Sequence, residues 1–402
     1  MNLIYVTAQV PYGKGEQFIP PEIIEMRKLG NNIKILPLRP AKEIGQGHEN
    51  SVISEYCDRT PLINIKVILC LFKYIIIHPI KVLNIISKII FKSGSIVKVF
   101  KNIILIPKGL YMGQEALKYK ADHIHCHWAS TSATAAYIAS VISDIPWSFT
   151  AHRWDIYENN MLKEKAKTAS FFRVINKKGY NDICKYIRSE DVSKCKIIHV
   201  GIFLDNQNNS TFEVNNREEF LIVVPASLIE VKGHKYLIEA INMLKDKNLI
   251  CHFYGEGELE EELLTEIKKL GLQDKILLKG QVAHEDLLEM YKTKAVDVLI
   301  LPSILTDAGE HEGIPVSLME AMANKIPVIS TNTGGIPELL EEGSGILVDD
   351  KSSEQLKDAI LRLLEDKEIA IELGEAGYNK VLNEFDINKV CLNLQQEFKN
   401  RA

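Results

Sequence analysis

The chain has 402 residues, 46% hydrophobic and 25% charged, with a formal net charge of −5. That length suits two domains of about 200 residues better than one core, and the balance of charge argues against a nucleic-acid partner. Seven cysteines, an odd number with no Cys-x-x-Cys, point to a reducing compartment and away from a disulfide framework or a zinc site.

Leu3–Thr7 reads as a buried strand, Phe18–Leu29 as a helix with Pro20 and Pro21 in its first turn, and Asn32–Leu36 as a second strand. The N-terminus lacks the basic n-region of a signal peptide. In the loop from Gln9 to Gln17, Gly13-Lys14-Gly15 has neither the spacing nor the Ser/Thr of a P-loop. Gly13 and Gly15 either present backbone N–H groups to a phosphate or simply turn the chain, and spacing alone does not choose.

Residues 61–114 contain eight lysines and no Asp or Glu, which leaves the rest of the chain at −13. Lys66, Lys73, Lys81 and Lys88 recur every seven or eight residues, gathering on one side of a helix with Ile, Leu and Val on the other. Such a segment is too interrupted to span a bilayer and reads as a helix lying on an anionic membrane. The alternative is an apolar side packed on the protein with solvated lysines.

From Asp122 the pattern is strand, a helix over Ser130–Ser143, and a strand ending at Ala151, followed by His152, Arg153, Trp154 and Asp155. His123, His125 and His127 share one face of a strand, but no carboxylate or Cys nearby completes a metal set, so no metal is assigned. His152 is a candidate site residue, with a core histidine bonded to backbone as the alternative.

After a strand over Lys196–Gly201, the Asn-rich stretch Leu204–Asn216 reads as a linker. A second series follows, with strands at Phe220–Pro225, Ile250–Tyr254, Ile276–Leu278, Val296–Leu301, Pro327–Ser330 and Gly345–Val348 and helices between them. Strand–helix alternation throughout implies an α/β fold with parallel sheets. Lys232 precedes a helix, a position suited to a diphosphate. The stretch from Asp307 to Ala323 holds Glu312 in a loop and Glu320 on the second turn of a nearly all-apolar helix after Pro315. Three acids, Asp307, Glu310 and Glu312, thus gather at the carboxyl end of a strand, where open α/β sheets bind ligands.

The Glu312-x7-Glu320 pair resembles the signature of the retaining glycosyltransferases of family 4, also called group 1, which have the GT-B fold: two Rossmann-like domains facing across a cleft. Thr150-Ala-His-Arg-Trp-Asp-Ile-Tyr resembles the Thr-Ala-His-x-His-Asp-Ile-Tyr of the exopolysaccharide branch, with Trp154 in place of the second His. The resemblance implies an N-terminal domain over 1–203, joined by the terminal helix 385–402, and a nucleotide-sugar domain over 217–384. It implies Glu312 and the amides of Gly313, Ile314 and Val316 on the donor sugar, Glu320 on ribose, and Lys232 on phosphate. Ser227 stands where relatives carry Arg, and Pro315 where many carry Gly. Gly255 and Gly257 in a tight turn, with Gly280 and Val282, would face base and ribose. Gly13 and Gly15 would face phosphate and His152 the donor sugar, with Trp154 and Asp155 on the acceptor side.

The implied reaction moves a sugar from a UDP- or GDP-sugar to a saccharide or lipid-linked saccharide with retention, without a cofactor or metal, for bacterial surface polysaccharide. The implied location is the inner face of the cytoplasmic membrane. A sugar-nucleotide 2-epimerase or a non-catalytic binding protein of the same architecture are the alternatives.

Overall fold

The computed structural model describes residues 1–12, 16–45, 48–204 and 219–400. The chain divides into two compact units, Met1–Gly201 with Ile387–Ala402, and Ile202–Asp386.

The first unit is built on a six-stranded parallel sheet: β1 (Asn2–Thr7), β2 (Asn32–Pro37), β3 (His123–His127), β4 (Trp147–Ala151), β5 (Phe171–Val174) and β6 (Cys195–Ile197), in the order β2-β1-β3-β4-β5-β6. Successive residues of β1 enter opposite cores. Leu3 and Tyr5 pack with the helices Ile19–Lys28 and Ile387–Lys399, whereas Ile4 and Val6 pack with Ile106–Tyr119 and Thr131–Ser143. Burial on both faces is why β1 reads as a nearly continuous apolar run. The last two helices approach closely because Gly109 and Gly113 face Ile138 and Ile142; an added Cβ would lie 2.7 Å and 2.3 Å from those side chains.

The basic segment departs from its sequence reading. It is not one helix but Ile65–Ile77, Pro79–Lys92 and Ile96–Ile104, broken at Pro79 and at Gly94. Val67, Cys70 and Tyr74, then Val82, Ile85 and Ile89, form its buried stripe. Several lysines turn toward the protein: Lys81 Nζ lies 2.6 Å from Asp144, Lys88 Nζ 2.7 Å from Glu164, and Lys73 Nζ donates to Gln114 at 2.7 Å. The solvent face is largely Ile, Leu and Phe. Among the described residues no helix is long and apolar enough to cross a membrane.

The second unit repeats the architecture with β7 (Phe220–Pro225), β8 (Leu249–Tyr254), β9 (Ile276–Leu278), β10 (Val298–Leu301), β11 (Val328–Thr331) and β12 (Ile346–Val348), parallel and ordered β12-β11-β10-β7-β8-β9. The parallel α/β reading therefore holds in both units. Of the linker, residues 205–216 lie outside the described residues, as do Gly13 and Gly15.

Overpacking a tight helix contact typically costs about 1–3 kcal/mol. Gly113→Val is expected to lower the stability of the first unit by that amount, read by urea unfolding followed by tryptophan fluorescence. Trp128, Trp147 and Trp154 are the chain's three tryptophans and all lie in this unit. An unshifted midpoint would refute the close approach.

Candidate active site

In the second sheet, strand order reverses between β7 and β10, the switch point at whose carboxyl ends open α/β sheets bind ligands. Backbone contacts hold the loops after these strands in register. The Ile304 N–H donates to Val231 O at 2.9 Å, and Gly233, at φ +65°, sits so close to Pro302 that a Cβ would lie 2.0 Å from its carbonyl oxygen. Lys232, one residue earlier, thereby reaches Glu312, with Nζ 2.5 Å from Oε1. Glu312 is buried at 8% exposure, whereas Asp307 and Glu310 are exposed, so only one of the three acids turns inward. A third loop, after β11, supports it. Gly334, at φ +62°, would place a Cβ 1.9 Å from Glu312 O, the Gly335 N–H donates to Glu312 O at 3.3 Å, and His311 Nδ1 donates to the same oxygen at 2.9 Å.

Glu320 lies on the second turn of the helix Val316–Ala323, for which Pro315 is the N-cap. Its carboxylate meets His284 Nε2 at 2.7 Å, so the structure joins Lys232 to Glu312 and gives Glu320 a different partner. His284 opens the helix His284–Lys292, which follows Gly280 and Val282 in the chain. The Gly255 N–H donates to Gly280 O at 2.8 Å and the Leu228 N–H to Glu256 O at 3.0 Å, tying the loops after β7, β8 and β9 together around exposed Ser227 and half-buried Gly257. Gly313, Ile314 and Val316 are each half-buried beside Glu312.

In the first unit the three histidines of β3 are buried, and a carboxylate does complete their set. Glu22, from the helix Ile19–Lys28, brings ligand atoms to within 4.8 Å of His125 and His127. Sequence reading missed it because Glu22 is 105 residues from His127. The ligand atoms already have other partners. His125 contacts Ser148 Oγ at 2.8 Å and Thr150 Oγ1 at 3.0 Å, His127 contacts Glu22 Oε1 and His152 Nε2 at 3.1 Å each, and the buried guanidinium of Arg173 lies 2.5 Å from Glu22 Oε2. Burial raises the Glu22 carboxyl, but Arg173 and His127 outweigh it and hold it well below the usual range. Burial, reinforced by His127 and Arg173, pushes His152 well below an ordinary imidazole. The signal available in sequence was Arg173 itself, an arginine inside the apolar run of β5.

His152 leaves β4 into a cage of Phe18, Trp128 and His127, with ring centroids 4.5, 4.6 and 5.3 Å away. Asp155 is fully buried and accepts from the N–H groups of His152 at 3.0 Å, Arg153 at 2.7 Å and Ala129 at 2.8 Å. It is thus a brace for this loop, not a free oxygen for an acceptor. Lys165, also fully buried, donates to the carbonyls of Ala129 and Ser130, and its ammonium is pushed down to about 7 by burial. Trp154 is 48% exposed and stacks on Trp128 at 5.3 Å.

Residues 205–380, nearly the whole second unit, match the model of the glycosyl transferases group 1 family. Over those residues the second unit is similar to the group 1 glycosyl transferases. The chain is 38% identical over 169 residues to the amylovoran biosynthesis glycosyltransferase AmsK of Erwinia amylovora, a match covering 41% of each chain. It is 42% identical over 134 residues to the putative colanic acid biosynthesis glycosyltransferase WcaL of Salmonella typhimurium, covering 33% of this chain and 32% of that one. These alignments therefore span about two fifths or less of those relatives' length. Among solved structures, HepE of Anabaena in complex with UDP superimposes with a TM-score of 0.72 at 15% identity over all of both chains. Sucrose-phosphate synthase of Thermosynechococcus elongatus does so at 0.70 and 16%, over 100% of this chain and 99% of that one. The fold is GT-B, and the second unit carries the Lys232–Glu312 pair.

His123, His125 and His152 all have pKa values lowered mainly by burial. Folded, they stay neutral; unfolded, each binds a proton below about 6.5. Stability is therefore fully present above that value and falls as pH drops, by up to about 1.4 kcal/mol per pH unit for each histidine. Urea unfolding read by tryptophan fluorescence is expected to show the loss between pH 6.5 and 5, above the range where Glu22 titrates. A flat profile across that window would contradict neutral burial.

Proposed function

We propose that this chain is a retaining glycosyltransferase that moves a sugar from a nucleotide diphosphate donor to a saccharide or lipid-linked saccharide in bacterial surface polysaccharide assembly. The observation that carries the reading is the convergence of Lys232 and Glu312 at the switch point of the second unit. An ammonium at the carboxyl end of β7 suits a diphosphate, and a carboxylate beside it suits sugar hydroxyls. On donor binding, the diphosphate replaces Glu312 as the partner of Lys232 and frees the carboxylate for the sugar. Glu320 takes the ribose hydroxyls, exchanging its contact with His284. Gly313, Ile314 and Val316 offer backbone amides to sugar and phosphate. The loops of Gly255, Gly257, Gly280 and Val282 bring backbone to base and ribose, and Ser227 adds a neutral hydrogen bond.

In the transfer step, the acceptor oxygen bonds to the anomeric carbon on the face from which the diphosphate departs. The carbon–phosphate oxygen bond breaks, and the acceptor proton passes to the leaving phosphate oxygen. Lys232 stabilises the charge that develops there, without a metal. His152 and Trp154 serve sugar and acceptor recognition in the first unit. The donor base is uracil or guanine. The relatives are named as polysaccharide biosynthesis transferases, which favours transfer over epimerisation. The working place is the inner face of the cytoplasmic membrane.

Calorimetry with UDP and GDP is expected to give binding to one of them, weakened at least tenfold by Lys232→Ala. With the cognate sugar nucleotide, Glu312→Ala and Lys232→Ala are each expected to cut turnover about 10²–10³-fold, the scale of losing one preorganised charge-stabilising group. Because the two groups touch, the double variant is expected to lose less than the product of the single losses. Unchanged turnover in either single variant removes that residue from the assignment, and failure of both nucleotides to bind removes the transferase reading.

A further inference from the structure

We propose that the helices Ile65–Ile77, Pro79–Lys92 and Ile96–Ile104 form an insertion face that buries its apolar side chains among the acyl chains of an anionic phospholipid bilayer, with the helices lying in the interface. This deepens the membrane location proposed above and rests on it, while donor binding does not depend on it.

Of the 29 large apolar side chains exposed among the described residues, 17 fall between Ile63 and Ile104. Ile76, Ile80, Phe91 and Phe100 are exposed at 79%, 81%, 77% and 63%. The helices Ile65–Ile77 and Pro79–Lys92 each already bury an apolar stripe against their own unit, and Ile96–Ile104 buries only Asn102, so the exposed apolar residues need a second apolar surface. Helices of 13, 14 and 9 residues do not span a bilayer, and none of the described helices is long and apolar enough to do so. What remains for them is the boundary between headgroups and chains.

Charge chooses among the occupants. No Asp or Glu lies anywhere in 61–114. A second copy docking this face on itself would oppose the same lysines on both sides with no acid in the segment to answer them. An anionic headgroup layer supplies that complement. Several lysine ammoniums are already drawn to the protein, at Asp144, Glu164 and Gln114, whereas Lys66, Lys92 and Lys101 are exposed near the helix ends, positions from which a long side chain reaches headgroups while its helix sits deeper. The structure therefore assigns the holding force mainly to insertion and only secondarily to lysine–phosphate attraction.

The test is co-sedimentation of the full chain with vesicles of 70% phosphatidylcholine and 30% phosphatidylglycerol, at 50 and 500 mM NaCl. Wild type is expected to bind and to keep most of its binding at high salt. The variant Ile76→Ser/Ile80→Ser/Phe91→Ser/Phe100→Ser is expected to lose at least tenfold in partitioning at both salts. Its urea midpoint and its UDP or GDP binding are expected to stay unchanged, since these side chains project outward. Lys66→Gln/Lys92→Gln/Lys101→Gln is expected to lose several-fold at 50 mM and little at 500 mM. The proposal is overturned if the serine variant binds vesicles like wild type, if wild-type binding disappears at 500 mM, or if wild type never binds. It is equally overturned if wild type is a dimer that ignores vesicles and becomes a monomer in the serine variant. Loss of vesicle binding with nucleotide binding intact leaves the transferase reading standing, and the reverse result leaves this face standing.

Discussion

Lys232 and Glu312 are 80 positions apart in the chain and 2.5 Å apart in space, and the second unit is arranged so that both statements hold. A buried carboxylate without a cation is costly, by several kcal/mol even after relaxation. The loop after β10 therefore accommodates Glu312 only where the loop after β7 delivers Lys232. That delivery depends on backbone approaches no side chain permits: Gly233 against Pro302, and Gly334 against the carbonyl of Glu312 itself. The ion pair and the two glycines are thus one constraint. Without the close approaches the charges do not meet, and without the charges the approaches would enclose an unpaired acid.

The first unit solves a related problem with hydrogen bonds. Arg173, fully buried in β5, is satisfied by the carbonyls of Ile198 and His199 and by Glu22, and Glu22 in turn meets Tyr5 and His127. The chain of contacts ends at His152, at the carboxyl end of β4. Each polar group in such an interior is tolerable only while its neighbour is present, which ties the position of His152 to an arginine three contacts away. Asp155 and Lys165 hold the N–H and the C=O of Ala129, so the loop that carries Trp128 is held on both its donor and its acceptor sides.

What was legible in the sequence is what local pattern encodes. The nearly continuous apolar runs of β1, β7 and β10 read as buried strands from composition alone, whereas β3 and β5, equally buried, carry three histidines and an arginine. The places of Lys232 and Glu312 at strand ends were legible for the same reason, since alternation of strand and helix fixes which end carries the ligand loops. What distant residues contribute was not. Glu22 completes the histidine cluster from 105 residues away, and His284 takes the carboxylate of Glu320 from a helix with no distinguishing motif. The basic segment shows the limit most plainly. Its periodicity separates two faces, but it did not show that apolar side chains lie on both, one stripe buried and the other exposed, with Lys81 and Lys88 held by Asp144 and Glu164, 63 and 76 residues beyond them.

That second, exposed apolar face changes how charge and apolar area divide the work at a bilayer. Outside residues 61–114 the chain carries −13, and within them +8, so a negative surface repels most of the molecule and attracts one segment. At 0.15 M salt this attraction reaches only about 8 Å, which is enough to orient an encounter and too little to hold a complex. Side chains such as Ile76 and Phe91, each worth about 1.5–3 kcal/mol when taken fully out of water, act only after contact and are not screened by salt. Orientation and residence are therefore separate properties of one surface. Lysines drawn back onto Asp144 and Glu164 cost the first very little and leave the second free of charged groups that would otherwise have to enter the acyl layer.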